Sequence, residues 1–318
     1  MINRTLVRIR VIQTLFAYYK DGDKTPLTAK KELINSYSDS YSLYMLLLSF
    51  MDELPRYADE QLADAVSRAR VTHRTYTPNR KFIDNAVSQQ VFSSRALRAY
   101  LEENKLRWDS GMSFIANFYK QLQKAPFYKE FMQLEAPSYE DATGLWRKIF
   151  AEILLNNEEL YTTLEEMEVV LDHTNWATDA DWVISFIVKT LKRFEESNGA
   201  DQPLLPMFDN ESELDFAKQL LTAALDHHEE YEQMIDGHLK NWDASRIAYM
   251  DRIILEVALA EMINFPEIAL EVSFNEYIEL AKEYSSEKSH IFINGILNEI
   301  LTELKRENKL LKAVNLKD

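Results

Sequence analysis

Cysteine is absent from this 318-residue chain. That excludes disulfides, thiolate metal sites and cysteine nucleophiles, and it agrees with a reducing, cytoplasmic compartment. Glycine and proline are scarce, at 6 and 8 residues. Long stretches carry apolar residues at helical spacing with no alternating strand pattern, so the fold expected is all-α, a helical bundle. Long hydrophobic runs are missing too. The longest, Leu43 to Met51, is interrupted by Ser49 and falls far short of the roughly 20 residues a membrane-spanning helix needs. Arg4, Arg8 and Arg10 before an apolar stretch superficially resemble an export signal, but no small-residue cleavage site follows Ala17. A cytoplasmic protein without membrane contact is expected, and its 46% hydrophobic content is ample for a packed core.

The net charge is −16, which argues against nucleic acid until its distribution is read. Residues 139–240 hold 23 acidic and 7 basic side chains, so the rest of the chain is neutral. Two acid-free basic stretches survive. Residues 1–20 carry Arg4, Arg8, Arg10 and Lys20, and residues 65–83 carry Arg68, Arg70, Arg74, Arg80 and Lys81.

The spacing predicts a first helix over about 3–20, stopped by Asp21-Gly22-Asp23 with Pro26 beyond. Further helices fill 28–73, 80–124 and 127–134, with breaks near Pro55, Pro78, Gly111 and Pro126. A long amphipathic stretch covers 139–173, and another 179–197. The expected organisation is a basic N-terminal helix (1–22), an extra helical region (23–198), a linker (199–211) and a C-terminal bundle (212–312). A faint repeat with an offset of 71 aligns Leu145, Ile149, Phe150, Leu154 and Leu160 with Phe216, Leu220, Leu221, Leu225 and Tyr231. Asn175-Trp176 and Asn241-Trp242 then open the following helices.

Near the C-terminal end, Ser273 with Glu276 reads as a capping box that starts a helix carrying Phe274, Ile278 and Ala281 on one face. A last helix follows from Lys288-Ser289-His290, with Phe292, Ile296, Ile300 and Leu304 along one face. Gly295 sits inside it, a position that costs about 1 kcal/mol relative to alanine and so points to a neighbouring helix at close range. Upstream lie Asp251-Arg252-Ile253-Ile254-Leu255-Glu256-Val257-Ala258 and Glu261-Met262, and at the other end of the chain Arg8-Ile9-Arg10-Val11-Ile12-Gln13-Thr14-Leu15-Phe16. Together these segments resemble the transcription antitermination factor NusB family, over about 110 residues. The region from about 24 to 209 has no counterpart in that resemblance, and the basic run is thin.

The resemblance implies a non-catalytic, RNA-binding helical protein. It would act on boxA-type single-stranded RNA in ribosomal RNA transcripts, together with the ribosomal protein NusE and the transcription elongation complex. Arg4, Arg8, Arg10 and Gln13 at the first helix, and Lys288 and Ser289 at the start of the last, would contact RNA. A helical face near Glu256 and Glu261 would receive the basic protein partner. Arg68, Arg70, Arg74, Tyr76, Arg80 and Lys81 form a second basic patch that mixes charge with stacking surface, as single-stranded nucleic acid favours; a solvated loop has the same composition. The alternative is a helical protein-interaction scaffold that has lost RNA binding. Asp226-His227-His228-Glu229-Glu230 invites a metal, but consecutive helical positions point about 100° apart, and only one Glu-x-x-His pair, Glu287 with His290, is present. No metal and no cofactor is expected, and His290 is read as fixing the helix junction by hydrogen bonding. No nucleophile elbow or pair of catalytic carboxylates can be placed, so no enzymatic activity is expected.

Overall fold

The computed structural model describes residues 1–208, 210–239 and 248–310. The fold is all-α; an isolated bridge between Ile2 and Phe208 is the sole strand-type pairing among the described residues. The helices in chain order are α1 (Arg4–Lys20), α2 (Pro26–Val71), α3 (Ala86–Ser93), α4 (Arg95–Glu103), α5 (Met112–Leu122), α6 (Pro126–Gln133) and α7 (Tyr139–Lys148). They continue with α8 (Glu158–Leu171), α9 (Trp176–Leu191), α10 (Glu211–Asp226), α11 (His228–Gly237), α12 (Tyr249–Asn264), α13 (Leu270–Tyr284) and α14 (Ser289–Arg306). The chain forms two compact units. One is made of Met1 and residues 36–207, the other of residues 2–35 and 208–318.

In the first unit the long run of α2 is the core helix. Leu43 to Met51 are all buried, which explains why the run is continuous rather than periodic: a helix covered on all sides has no polar face. Three tryptophans in this unit are buried, and each indole N–H finds an acceptor. Trp108 donates to Ser49 Oγ at 3.1 Å, Trp146 to Ser88 Oγ at 2.8 Å and Trp176 to the Asp39 carbonyl at 2.9 Å. Without those partners each buried donor would cost about 1–3 kcal/mol. Pro55 does not break α2 as expected. It removes one backbone donor, but Met51, Leu54 and Ala58 around it are buried, and their packing carries the helix through. The amphipathic stretch 139–173 is divided into α7 and α8. A π-helical turn over Ile149–Leu154 ends α7, Asn156 takes a left-handed conformation (φ 56°), and Asn157 Oδ1 caps α8 by accepting from Leu160 N at 2.9 Å.

In the second unit α12 is the central helix, with α1, α10, α11, α13 and α14 packed against it. Residues 253–262 are all buried, two glutamates among them. Asn3 caps α1 through a 2.9 Å bond from Leu6 N. Ser273 does not start a helix: α13 begins at Leu270, so Ser273 lies inside it, buried, and Glu276 bonds to α1 rather than to its own helix start. Phe292, Ile296 and Leu255 are buried. Both segments of the faint repeat fold as helix, break, helix, over 139–171 and 211–237. Its third pair, Asn241 and Trp242, lies outside the described residues.

Candidate nucleic-acid interface

The two glutamates in the centre of α12 decide what happens to the N-terminal arginines. A buried carboxylate needs a paired cation and hydrogen bonds, and α1 delivers them. Arg8 grips Glu261 through two 2.8 Å bonds, Nε to Oε2 and Nη2 to Oε1, and reaches Glu276 Oε2 with Nη1 at 3.1 Å. Tyr277 Oη donates to Glu261 Oε2 at 2.8 Å and Thr5 Oγ1 to Glu276 at 2.9 Å. Arg8 is 2% exposed and Glu261 0%. Burial alone would raise the Glu261 carboxyl, but the Arg8 fork and charge outweigh it and hold the group below its usual range. Burial would likewise lower the Arg8 guanidinium, yet Glu261 makes the net direction upward. Burial first, and then the Glu261 charge, push the Tyr277 hydroxyl far above its ordinary value. Arg8 is therefore a clamp between helices rather than a cation facing solvent.

Arg10, expected among the RNA contacts, is 1% exposed, and its Nη1 donates to Gln13 Oε1 at 2.7 Å. Gln13 is half-buried. Arg4 alone of the three keeps substantial exposure, 39%. Its Nε is 3.5 Å from Glu213 Oε2, and its guanidinium lies 5.0 Å from the Phe216 ring centre.

The expected partner face near Glu256 and Glu261 is not a surface, because both side chains are buried in the core of the unit. Glu256 accepts from Tyr19 Oη at 2.5 Å and lies 3.0 Å from His228 Nδ1. Tyr19 Oη also lies 2.9 Å from His228 Nδ1. Burial lifts the Glu256 carboxyl above its usual range, and these partners offset only part of that. His228 thus serves a buried carboxylate. Among the described residues, no three His, Cys, Asp or Glu side chains are grouped to hold a metal ion.

At the start of α14, Lys288 is exposed and forms the N-cap without a side-chain cap bond. Ser289 is buried. Its Oγ donates to Asp251 Oδ2 at 2.9 Å and accepts from Ser286 N at 3.1 Å, while Ser285 Oγ donates to Asp251 Oδ1 at 2.5 Å. Ser289, expected among the RNA contacts, therefore ties the α13–α14 junction to the first turn of α12. His290, expected to hold that junction, leaves its buried Nδ1 without a partner among the described residues.

The second basic patch lies in the first unit, and the structure divides it. Arg80 is paired with Asp59 at 2.6 Å and Asp84 at 3.1 Å, and Lys81 Nζ donates to the Met132 carbonyl at 3.0 Å. Arg68, Arg70 and Arg74 are exposed, and their side chains make no hydrogen bond or ion pair among the described residues. Tyr76 is 46% exposed. The sequence reading missed the Tyr19–Glu256–His228 cluster and the Asp251–Ser289 bond. The signal available was a glutamate and an aspartate placed on an otherwise apolar helix.

The sequence profile of the NusB family matches residues 185–302. The match begins inside α9 and leaves out α1, which belongs to the same compact unit as α10 to α14. Among curated proteins, the chain is 37% identical over 133 residues to the transcription antitermination protein NusB of Salinibacter ruber, covering 40% of this chain and 83% of that protein. It is 43% identical over 89 residues to the protein of the same name from Bacillus velezensis, covering 28% and 68%. With that of Bacillus subtilis the identity is 40% over 98 residues, covering 31% and 75%. With most of a curated relative's length aligned at this identity, the chain belongs to the NusB family.

Proposed function

We propose that this protein is a transcription antitermination factor that binds boxA-type single-stranded RNA in ribosomal RNA transcripts, together with NusE and the elongation complex. The observation that carries the reading is the extended match to antitermination proteins across four-fifths of a relative's length. The mechanism is binding, not chemistry. In the NusB-like unit, the arginine of α1 that fits phosphate contact is Arg4, since Arg8 and Arg10 are buried. Lys288, exposed at the start of α14, is the second cation, and the positive end of the helix dipole adds to its attraction for a phosphate. Arg8 contributes indirectly by holding α1 against α12 and α13.

Fluorescence anisotropy with a labelled boxA-type RNA, with and without NusE, tests this. The expected result is binding that tightens when NusE is added, weakens steeply with salt and is reduced in an R4Q/K288Q variant. Absence of RNA binding under both conditions would sink it. One observation favours the rival reading of a protein-interaction scaffold: burial of Arg8 and Arg10 thins the cationic face of α1. Pull-downs with and without RNase separate the two, because a scaffold keeps its partners after RNA is destroyed.

A further inference from the structure

The arginines that α1 withdraws into the core have exposed counterparts in the other unit. α2 ends in a tight cap: His73 takes a left-handed conformation (φ 52°), with His73 N bonded to Arg70 O at 3.2 Å and Arg74 N to Ala69 O at 2.9 Å. This crossed pair of bonds is the Schellman arrangement, and it holds Arg74 beside the last helical turn that carries Arg68 and Arg70. Residues 71–80 are all exposed and residues 74–80 have no regular structure, so the chain beyond the cap can adapt to a ligand. Its far end is anchored by the Arg80 ion pairs and the Lys81 bond to Met132. Next to this arm lies a groove of about 640 Å³ lined by Thr77, Asn79, Lys81, Asn85, Phe131 and Pro137, within the range of small-ligand sites.

Favourable interaction with the helix dipole accounts for Arg68 and Arg70 in the last turn. It does not account for Arg74 and Tyr76, which lie past the helix. An acidic protein would use the guanidinium groups but has no need of the half-exposed ring. A single-stranded nucleic acid uses both, phosphates on arginine and a base stacked on the aromatic.

We propose that the end of α2 and the arm behind it form a second RNA-binding surface. Arg68, Arg70 and Arg74 hold phosphates of a single strand, Tyr76 stacks on one base, and the groove receives the neighbouring nucleotide. This rests on the RNA-binding reading above and extends it to residues 68–81, which lie outside the residues that the family profile matches.

The test uses the full chain and a fluorescein-labelled 20-nucleotide single-stranded RNA in anisotropy titrations across a salt series. An R68Q/R70Q/R74Q variant, with its helicity checked by circular dichroism, should bind more weakly, and its log–log salt slope should be shallower by about 2, as expected when three phosphate contacts are lost. Tyr76→Ala should lower affinity at least about fivefold with the salt slope unchanged. R4Q/K288Q is run in parallel. If that variant weakens binding and the triple variant does not, RNA binding stands and the second surface is overturned. If the wild-type chain binds no RNA, both fall. Poly-glutamate binding that matches RNA binding and is equally insensitive to Tyr76→Ala would mark a general polyanion surface and overturn the assignment.

Discussion

Arg4, Arg8 and Arg10 in one unit and Arg68, Arg70 and Arg74 in the other look alike in the sequence. Each set is three arginines within seven residues and with no acid among them, and each lies in a unit with 18 basic and 26 acidic residues, a net charge of −8. Their fates differ. Glu261, 253 residues away in the chain, takes Arg8 out of solvent, whereas nothing among the described residues reaches Arg68, Arg70 or Arg74. An acid-free sequence neighbourhood therefore says little about which cations are free. The acids that matter arrive from distant helices.

The largest effect that can break this comparison is expected at Arg8. Arg8→Ala leaves Glu261 buried without its cation, and a loss of about 3–5 kcal/mol is expected in denaturant unfolding; adding Glu261→Gln should restore part of it. A loss under 1 kcal/mol would mean that Arg8 is not a clamp and would reopen its role as a phosphate contact. The pH dependence sharpens the same point. Because the Glu261 carboxyl is depressed in the folded state, its stabilisation is complete above its unfolded value and is lost as pH falls through the folded one. Glu256 has the opposite sign: its carboxyl is raised, so its penalty appears as pH climbs through the unfolded value and is complete above the folded one. Acid titrations of unfolding free energy for Arg8→Ala and Glu256→Gln should thus deviate from wild type in opposite directions.

A smaller effect is expected at Ser289. Ser289→Ala removes a buried donor to Asp251 and should cost about 1–3 kcal/mol, with RNA affinity unchanged once the folded fraction is taken into account. If instead affinity falls and stability holds, Ser289 belongs to the interface after all. The smallest effect on stability is expected for R68Q/R70Q/R74Q, within about 0.5 kcal/mol of wild type in the same melts. A larger loss would show that these side chains serve the fold, and the contrast with Arg8 would vanish.

Much of the helical architecture was legible in the sequence. The bounds of α1 followed from Asn3 and Asp21, and the start of α14 from Lys288 and Ser289, because caps and periodicity are local. Pro55 was expected to break α2 and does not, and the break at Asn156-Asn157 was not marked within the stretch 139–173. Buried neighbours carry the helix past the proline, while the paired asparagines supply a left-handed turn and a cap that interrupt an otherwise continuous pattern. The candidate site was legible only as a set of residue types. Arg8, Arg10, Ser289, Glu256 and Glu261 were all expected at a surface, and all are buried.

By itself the sequence determined the helical class, the two acid-free basic stretches and the family, since these depend on residue type and spacing along the chain. Only the tertiary structure decided which charges meet. Residues 253–262 of α12 are buried throughout, so Glu256 and Glu261 must take partners from other helices to remain in a low-dielectric core. Those partners, Tyr19, His228, Arg8 and Tyr277, are chosen by packing rather than by sequence separation. In the other unit no acid among the described residues pairs with Arg68, Arg70 or Arg74, and these arginines stay in solvent.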